Sequence, residues 1–210
     1  MKKISLFLFF LLTFSSCSTS TPQPTPQVVN VYATPATQPW LANLYTCAEK
    51  SNAAINISSE SPDISLRLGE PEILASPAYQ IDEDEILVVA HRESPVQNLT
   101  LEEAQALFAG QADPSVQVWV YASDADVQKL FDQFVMKGRG VTSFARLAAS
   151  PQEMSDVLNA ESNSVGILPR HWKAGSVRDV YSVGMVPVLA IIKEEPQGIV
   201  KDLLVCLQGN

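Results

Sequence analysis

The chain has 210 residues, with 14 Lys and Arg against 23 Asp and Glu and a formal net charge of −9. It carries no cluster of basic residues and no interleaving of basic with aromatic residues, which argues against nucleic acid and anionic lipid as partners. His91 and His171 have no Cys, Asp or Glu at metal-ligand spacing, and no nucleophile motif can be singled out. We therefore expect no metal, no cofactor and no enzymatic activity.

Residues 1–17 predict a lipoprotein signal peptide. Two lysines precede an apolar run over residues 4–12, which is short for a membrane span. The following Phe14-Ser15-Ser16-Cys17 resembles the lipobox of bacterial lipoproteins, in which the cysteine is acylated and becomes the mature N-terminus. There are two alternatives: an ordinary signal peptide with an incidental cysteine, and a retained single-pass anchor. We expect an extracytoplasmic protein anchored to the bacterial cell membrane through lipidated Cys17.

Residues 18–27 contain only Ser, Thr, Pro and Gln, a composition typical of a disordered tether. The folded part therefore begins near Val28. With Cys17 lipidated, Cys47 and Cys206 remain as an even pair outside the cytoplasm, and we predict that they form a disulfide. Two buried, unpaired thiols are the alternative.

Apolar strand patterns alternate with helical patterns along the rest of the chain. Helices are expected to begin after Thr37, Thr100, Ser123 and Ser150, each of which would cap the N-terminus of its helix. A further helix is expected to begin near Pro196. The predicted strands cover residues 28–32, 55–58, 64–69, 86–90, 116–121, 165–168, 177–181 and 186–192. Strands alternating with helices predict an α/β protein whose sheet is covered on both faces.

Residues 86–110 are the most informative stretch. Five consecutive apolar residues, Ile86–Ala90, predict a strand buried on both faces. Thr100 and Glu103 then form a capping box, in which the hydroxyl accepts from the backbone and the carboxylate reaches back to the cap. Gly110 supplies the left-handed residue that ends the helix.

This stretch resembles the phosphate-binding lipoproteins of ABC transporters, in the type 2 periplasmic-binding-protein superfamily. The family pattern N-P-V-x-N-L-T, followed by a helix ending in F-x-G, is matched by residues 94–100 and 108–110. Residues 165–169 resemble a short family strand, and residues 187–208 its return strand and closing helix. The resemblance implies a compact, shortened α/β fold of two lobes, with residues 28–90 and 182–210 in lobe one and 91–181 in lobe two.

The resemblance also implies a ligand between the lobes. Thr34 falls where the family places a hydroxyl contact, and Ser123 falls in the region of its second phosphate loop. That loop is usually S-G-T after an arginine, whereas here Asp124 and Asp126 stand at the helix end and would repel a phosphate. Asp124 and Asp126 could instead contact a cationic or hydroxylated ligand. The full set of candidate ligand-binding residues is Thr34, Thr37, Ser59, Arg92, Ser123 and Asp124.

We therefore expect a solute-binding lipoprotein that captures a small polar ligand, phosphate or a related oxyanion by family default, for an ABC-type importer. Its partners would be the solute and a permease, the membrane would be contacted only through the lipid, and the protein would be a monomer. The alternative is a degenerate binding fold that serves as a surface interaction or accessory domain without a transported ligand. The short connection between residues 57 and 63 favours this alternative.

Overall fold

The computed structural model describes residues 25–209. The predicted signal peptide, Cys17 and most of the predicted tether lie outside the described residues. The strands of the described part are β1 (Gln27–Ala33), β2 (Ala53–Ile57), β3 (Ile64–Leu68), β4 (Ala78–His91), β5 (Gln117–Val120), β6 (Arg146–Leu147), β7 (Ser164–Pro169) and β8 (Val177–Ile192). Its α-helices are α1 (Leu41–Ser51), α2 (Leu101–Phe108), α3 (Asp126–Phe131), α4 (Pro151–Ala160) and α5 (Gly198–Gln208). Shorter helical segments lie at Pro35–Trp40, Asp132–Met136 and Arg170–Trp172.

The strands form a mixed sheet in the order β2-β1-β3-β8-β4-β7-β5-β6. Its centre is a long antiparallel ribbon of β4 and β8, paired from Ala78 opposite Ile191 to His91 opposite Val177. On one side β3 pairs with the last third of β8, and on the other β7 pairs with the last third of β4. The ribbon therefore pairs with β3 up to the level of Asp82 and with β7 from Ile86 onward. This change of partner divides the sheet into two lobes. The division at residues 90/91 and 181/182 stays a prediction.

Two predicted strands near the C-terminus are a single strand in the structure. The sequence predicted separate strands at 177–181 and 186–192, but β8 runs through both. Gly184 lies between them with a φ of 142°, and the register with β4 shifts at this point. Glycine adopts this backbone conformation without steric cost, so the strand bends and continues.

The connection between β2 and β3 spans only residues 58–63, although both strands are parallel to β1. A parallel crossover normally needs a dozen or more residues because the chain must run back. Here β2 pairs with residues 27–31 of β1 and β3 with residues 31–33, so the chain only has to step across β1. Asp63 secures this step, because its carboxylate accepts from the backbone N–H of Asn30 at 2.8 Å.

The core confirms the central prediction from the sequence. Residues 86–90 are each at most 1% exposed, as expected for a strand covered on both faces. In lobe one, α1 and α5 pack together and the structure pairs Cys47 with Cys206, whose Cα atoms lie 5.8 Å apart. In lobe two, the rings of Phe108 and Phe131 lie 4.5 Å apart at the centre of the helical layer.

Two of the four predicted helix caps are confirmed. Thr100 and Glu103 form the capping box of α2, and Ser150 accepts from the backbone N–H of Glu153 at the start of α4. The other two are wrong. Thr37 is buried inside the segment Pro35–Trp40, where its hydroxyl donates to backbone carbonyls, and the cap of α3 is Ala125 in place of Ser123.

Candidate functional site: the cleft between the lobes

The cleft lies where β1 and β3 end and α3 begins. Because β1 and β3 are parallel neighbours, they end at the same edge of the sheet. This places Thr34, the residue after β1, next to Leu68, the last residue of β3. From lobe two, the first residue of α3, Asp126, approaches both of them.

The side chain of Asp126 joins the two lobes. Its Oδ2 atom accepts hydrogen bonds from the Thr34 hydroxyl at 2.7 Å and from the backbone N–H of Leu68 at 3.0 Å. Its Oδ1 atom accepts from the N–H of Val127 at 3.0 Å. Asp126 is only 6% exposed. No cationic group of residues 25–209 pairs with it within 4.0 Å.

A cavity of about 720 Å³ opens on one side of this bridge. Its walls come from lobe one, lobe two and the β8 ribbon, and they include Arg67, Gly69, Ser123, Lys129 and Met185. A volume of this size suits a small organic ligand or a hydrated ion. A second cavity of about 300 Å³ is lined by Thr34, Asp124 and Asp126, among others.

The larger cavity carries charges of both signs. Arg67 and Lys129 provide positive charge, and the Nε atom of Arg67 is buried with no hydrogen-bond partner. Four acidic residues line the same cavity: Glu70, Glu72, Asp126 and Asp132. Burial raises the pKa of Asp132, and a hydrogen bond from Gln128 opposes this effect more weakly. The cavity therefore offers both donors for an anionic group and acceptors for a cationic or hydroxylated group.

Buried polar contacts fix the position of α3. The side-chain oxygen of Gln128 accepts from the N–H of Tyr121 at 3.0 Å, and the Tyr121 hydroxyl donates to the carbonyl of Ile167 at 2.8 Å. Burial raises the pKa of Tyr121, and the nearby negative charge of Asp126 raises it further. The phenol therefore stays neutral and acts as a fixed donor that ties the start of α3 to β7.

A second group of contacts closes the lobes near the ribbon. The Trp172 indole N–H of lobe two donates to the carbonyl of Ala36 in lobe one at 2.9 Å. The rings of Trp40 and His171 lie 4.5 Å apart across the lobes. His171 also lies 3.1 Å from the carboxylate of Asp84, a buried residue of the ribbon. Among residues 25–209, polar side-chain contacts therefore join the lobes both at Asp126 and at this tryptophan cluster.

The structure brings some of the predicted site residues together. Thr34 lies at the centre of the cleft, with Thr37 buried directly behind it, 3.3 Å away between hydroxyl oxygens. Ser123 and Asp124 are exposed and lie at the rims of the larger and the smaller cavity, respectively.

The structure does not bring Ser59 and Arg92 into the cleft. Ser59 is exposed in the step between β2 and β3, and Arg92 is exposed beyond the far end of β4. Glu83 of the ribbon pairs with Pro187, which lines the larger cavity. Arg92 lies nine positions further along the extended strand, a distance on the order of 30 Å from Glu83. The sequence did not point to Leu68, whose backbone N–H contributes and whose side chain does not. For Asp126 it predicted a role at the helix end or contact with a cationic or hydroxylated ligand, and not a bond to the other lobe.

No family model matches the chain, and no curated protein matches it. Solved structures do. A phosphate ABC transporter substrate-binding protein from Clostridium perfringens with bound phosphate has a TM-score of 0.78 at 16% identity, over 86% of this chain and 93% of that one. An ABC-type phosphate transport receptor from Vibrio cholerae has a TM-score of 0.65 at 15% identity, with the same coverage. The CcmR regulatory domain of Synechocystis in complex with 2-PG has a TM-score of 0.68 at 9% identity, over 87% and 96%.

The chain therefore has a type 2 periplasmic-binding-protein-like fold, as the sequence predicted. Both substrate-binding proteins and regulatory domains share this fold with it. Within residues 25–209, no helix is long and apolar enough to cross a membrane.

Proposed function

We propose that the chain is a solute-binding lipoprotein that captures a small polar ligand between its two lobes for an ABC-type importer. The observation that carries this proposal is the cavity of about 720 Å³, which both lobes line and whose wall includes the cationic side chains of Arg67 and Lys129. Binding would stabilise the closed arrangement of the lobes and involve no covalent chemistry.

The charges of the cavity restrict the ligand. Arg67 and Lys129 suit a carboxylate or another anionic group, because a guanidinium binds such groups with two parallel hydrogen bonds. Glu70, Glu72 and Asp132 suit an amine or hydroxyl groups. A polar organic solute that carries both kinds of group fits this lining better than phosphate, the family default.

A second candidate function is supported by the Asp126 bridge. In this reading the chain is a degenerate binding fold that acts as a surface interaction or accessory domain without a transported ligand. The donors Thr34 and Leu68 already have an acceptor from within the chain, and the lobes are in contact without any solute.

The proposed location is the outer side of the cytoplasmic membrane, with the domain held by a lipid on Cys17 and with a permease as its membrane partner. Fractionation of cells that express the full chain tests the anchor. We expect the protein in the membrane fraction and a Cys17→Ala variant outside it. Membrane association of that variant would mean a retained hydrophobic anchor.

The solute is tested by thermal unfolding of the chain from residue 18 with phosphate, sulfate, molybdate, sugars and amino acids. A solute at 100 times its Kd adds about 2.7 kcal/mol to the free energy of unfolding. We expect a shift with an amino-acid-like or other mixed-charge solute, lost in Arg67→Gln and kept in Arg92→Gln. The second variant is the matched control, because Arg92 lies outside the cleft. If no solute shifts the transition, the second candidate function replaces the first.

A further inference from the structure

We infer that Asp126 is an internal ligand of the cleft. Its carboxylate occupies an anion-binding position formed by the Thr34 hydroxyl and the Leu68 N–H, holds the lobes together, and excludes inorganic oxyanions from that position. Asp126 and Leu68 also line the larger cavity, but this role does not depend on which solute that cavity binds.

The Leu68 N–H needs an acceptor at this point for a reason of strand geometry. β1 pairs with β3 only as far as Leu66, whose carbonyl accepts from the N–H of Thr34 at 3.1 Å. Leu68 extends β3 two residues past the end of β1, and it is 1% exposed. On the β1 side, its N–H is therefore a buried donor with no strand beside it, while β8 pairs with Leu68 on the opposite edge. Such donors in native proteins are almost always bonded, and here the acceptor is Asp126.

The environment of Asp126 is that of a bound anion. A buried carboxylate without a cation nearby is stabilised by the donors around it, and Asp126 has three: the Thr34 hydroxyl and two backbone N–H groups. Two of the three come from the other lobe. Phosphate and sulfate need the same kind of donors, so they would have to displace a carboxylate that is covalently part of the chain. A tethered competitor has a high effective concentration, which weakens the apparent affinity of any free competitor.

Asp124 is a control that separates the position of a carboxylate from its charge. It carries the same group two residues earlier, but it is exposed and no bond of its side chain to lobe one is present in the described residues. Replacing either aspartate changes the net charge by the same amount. Only replacement of Asp126 removes the carboxylate that accepts from both the Thr34 hydroxyl and the Leu68 N–H.

The test measures phosphate and sulfate binding by titration calorimetry at constant ionic strength, with the chain from residue 18. We expect very weak binding by the unmodified protein and at least about tenfold tighter binding by Asp126→Ala, because the tethered competitor is gone. Asp124→Ala should bind as the unmodified protein does. Adding Thr34→Val to Asp126→Ala should remove the gain, since it deletes one of the two donors of lobe one.

Three results would overturn the inference. One is tight phosphate binding by the unmodified protein that Thr34→Val abolishes, since the position would then be open. Another is an equal gain in Asp124→Ala, which would make the effect one of net charge. The third is a folded Asp126→Ala variant with no gain. Asp126→Ser is the second variant if alanine prevents folding, because serine is shorter and neutral but can still accept from the backbone. A failed solute screen of the unmodified protein leaves all three comparisons unaffected.

Discussion

Single residues decide how closely the two lobes can approach. Gly69 has a φ of +68°, and a Cβ atom there would lie 2.5 Å from a methyl carbon of Leu130 in the opposite lobe. Gly138 has a φ of +86°, but no atom lies within 4 Å of the position of its Cβ. The two glycines therefore separate backbone strain from steric contact across the cleft.

We expect Gly69→Ala to lower the free energy of unfolding more than Gly138→Ala does. The left-handed backbone costs each variant about 1 kcal/mol or more. Overpacking against Leu130 adds roughly 1–3 kcal/mol to Gly69→Ala alone. Urea unfolding of both variants measures the difference. Equal losses would show that Leu130 yields freely and that the lobes are not tightly packed at this point.

Glu85 makes stability depend on pH. A hydrogen bond from Ser182 and then one from Arg170 hold the pKa of Glu85 below its ordinary value of 4.5. A carboxylate whose pKa is lower in the folded state stabilises the protein above its unfolded pKa, and this contribution disappears as the pH falls through the folded pKa. The stabilisation is therefore complete at neutral pH, begins to fall near pH 4.5 and is lost as the pH passes through the lower pKa of the folded state.

The corresponding variant is Glu85→Gln. We expect it to be less stable than the unmodified protein at pH 7, with the difference shrinking as the pH is lowered through the acid range. Urea unfolding at several pH values measures this, and Glu93→Gln is a control because Glu93 is exposed at the far end of lobe two. A difference that stays constant with pH would mean that the glutamine acts through packing and not through charge.

At the scale of elements, α1 and α5 hold the two ends of the folded chain in lobe one, and Cys47 and Cys206 lie between them 159 positions apart. A crosslink that closes so long a loop is worth up to about 5 kcal/mol in the chain-entropy model, with 2–4 kcal/mol typical. We expect a reducing agent to lower the unfolding temperature of the chain from residue 18. Cys47→Ala with Cys206→Ala should unfold at the lower temperature regardless of reductant. Detection of free thiols at Cys47 and Cys206 by mass spectrometry without reduction would contradict this prediction.

The elements also show which parts of the structure a sequence can predict. The buried strand 86–90 and the caps of α2 and α4 were predicted correctly, because each depends on residues within a few positions of one another. Thr37 looked like another local cap, but its hydroxyl bonds to Leu66, 29 positions away. Asp126 looked like a residue that complements a helix end, and its partners Thr34 and Leu68 are 92 and 58 positions away. The site depends on such distant pairs, so sequence pattern alone placed its scaffold and missed its central contact.

At the scale of the whole molecule, the lobes are held by two groups of contacts of unequal strength. Asp126 accepts two charge-assisted hydrogen bonds from lobe one, each worth about 1.5–3 kcal/mol. The Trp172 indole donates one neutral hydrogen bond, worth about 0.5–1.5 kcal/mol. The equilibrium between closed and open lobes shifts tenfold for every 1.4 kcal/mol, so loss of the two Asp126 hydrogen bonds should shift it further than loss of the Trp172 hydrogen bond.

We therefore expect the protein to be closed in solution without any ligand, with a radius of gyration of about 16 Å for its 185 described residues. Trp172→Phe, which removes the N–H donor and keeps an aromatic ring, should leave this radius unchanged. Asp126→Ala should increase it, and the two changes together should increase it most. Small-angle X-ray scattering of the chain from residue 25 measures all four proteins. If Trp172→Phe opens the molecule and Asp126→Ala does not, the tryptophan cluster is the main closure and Asp126 only fills a space beside it.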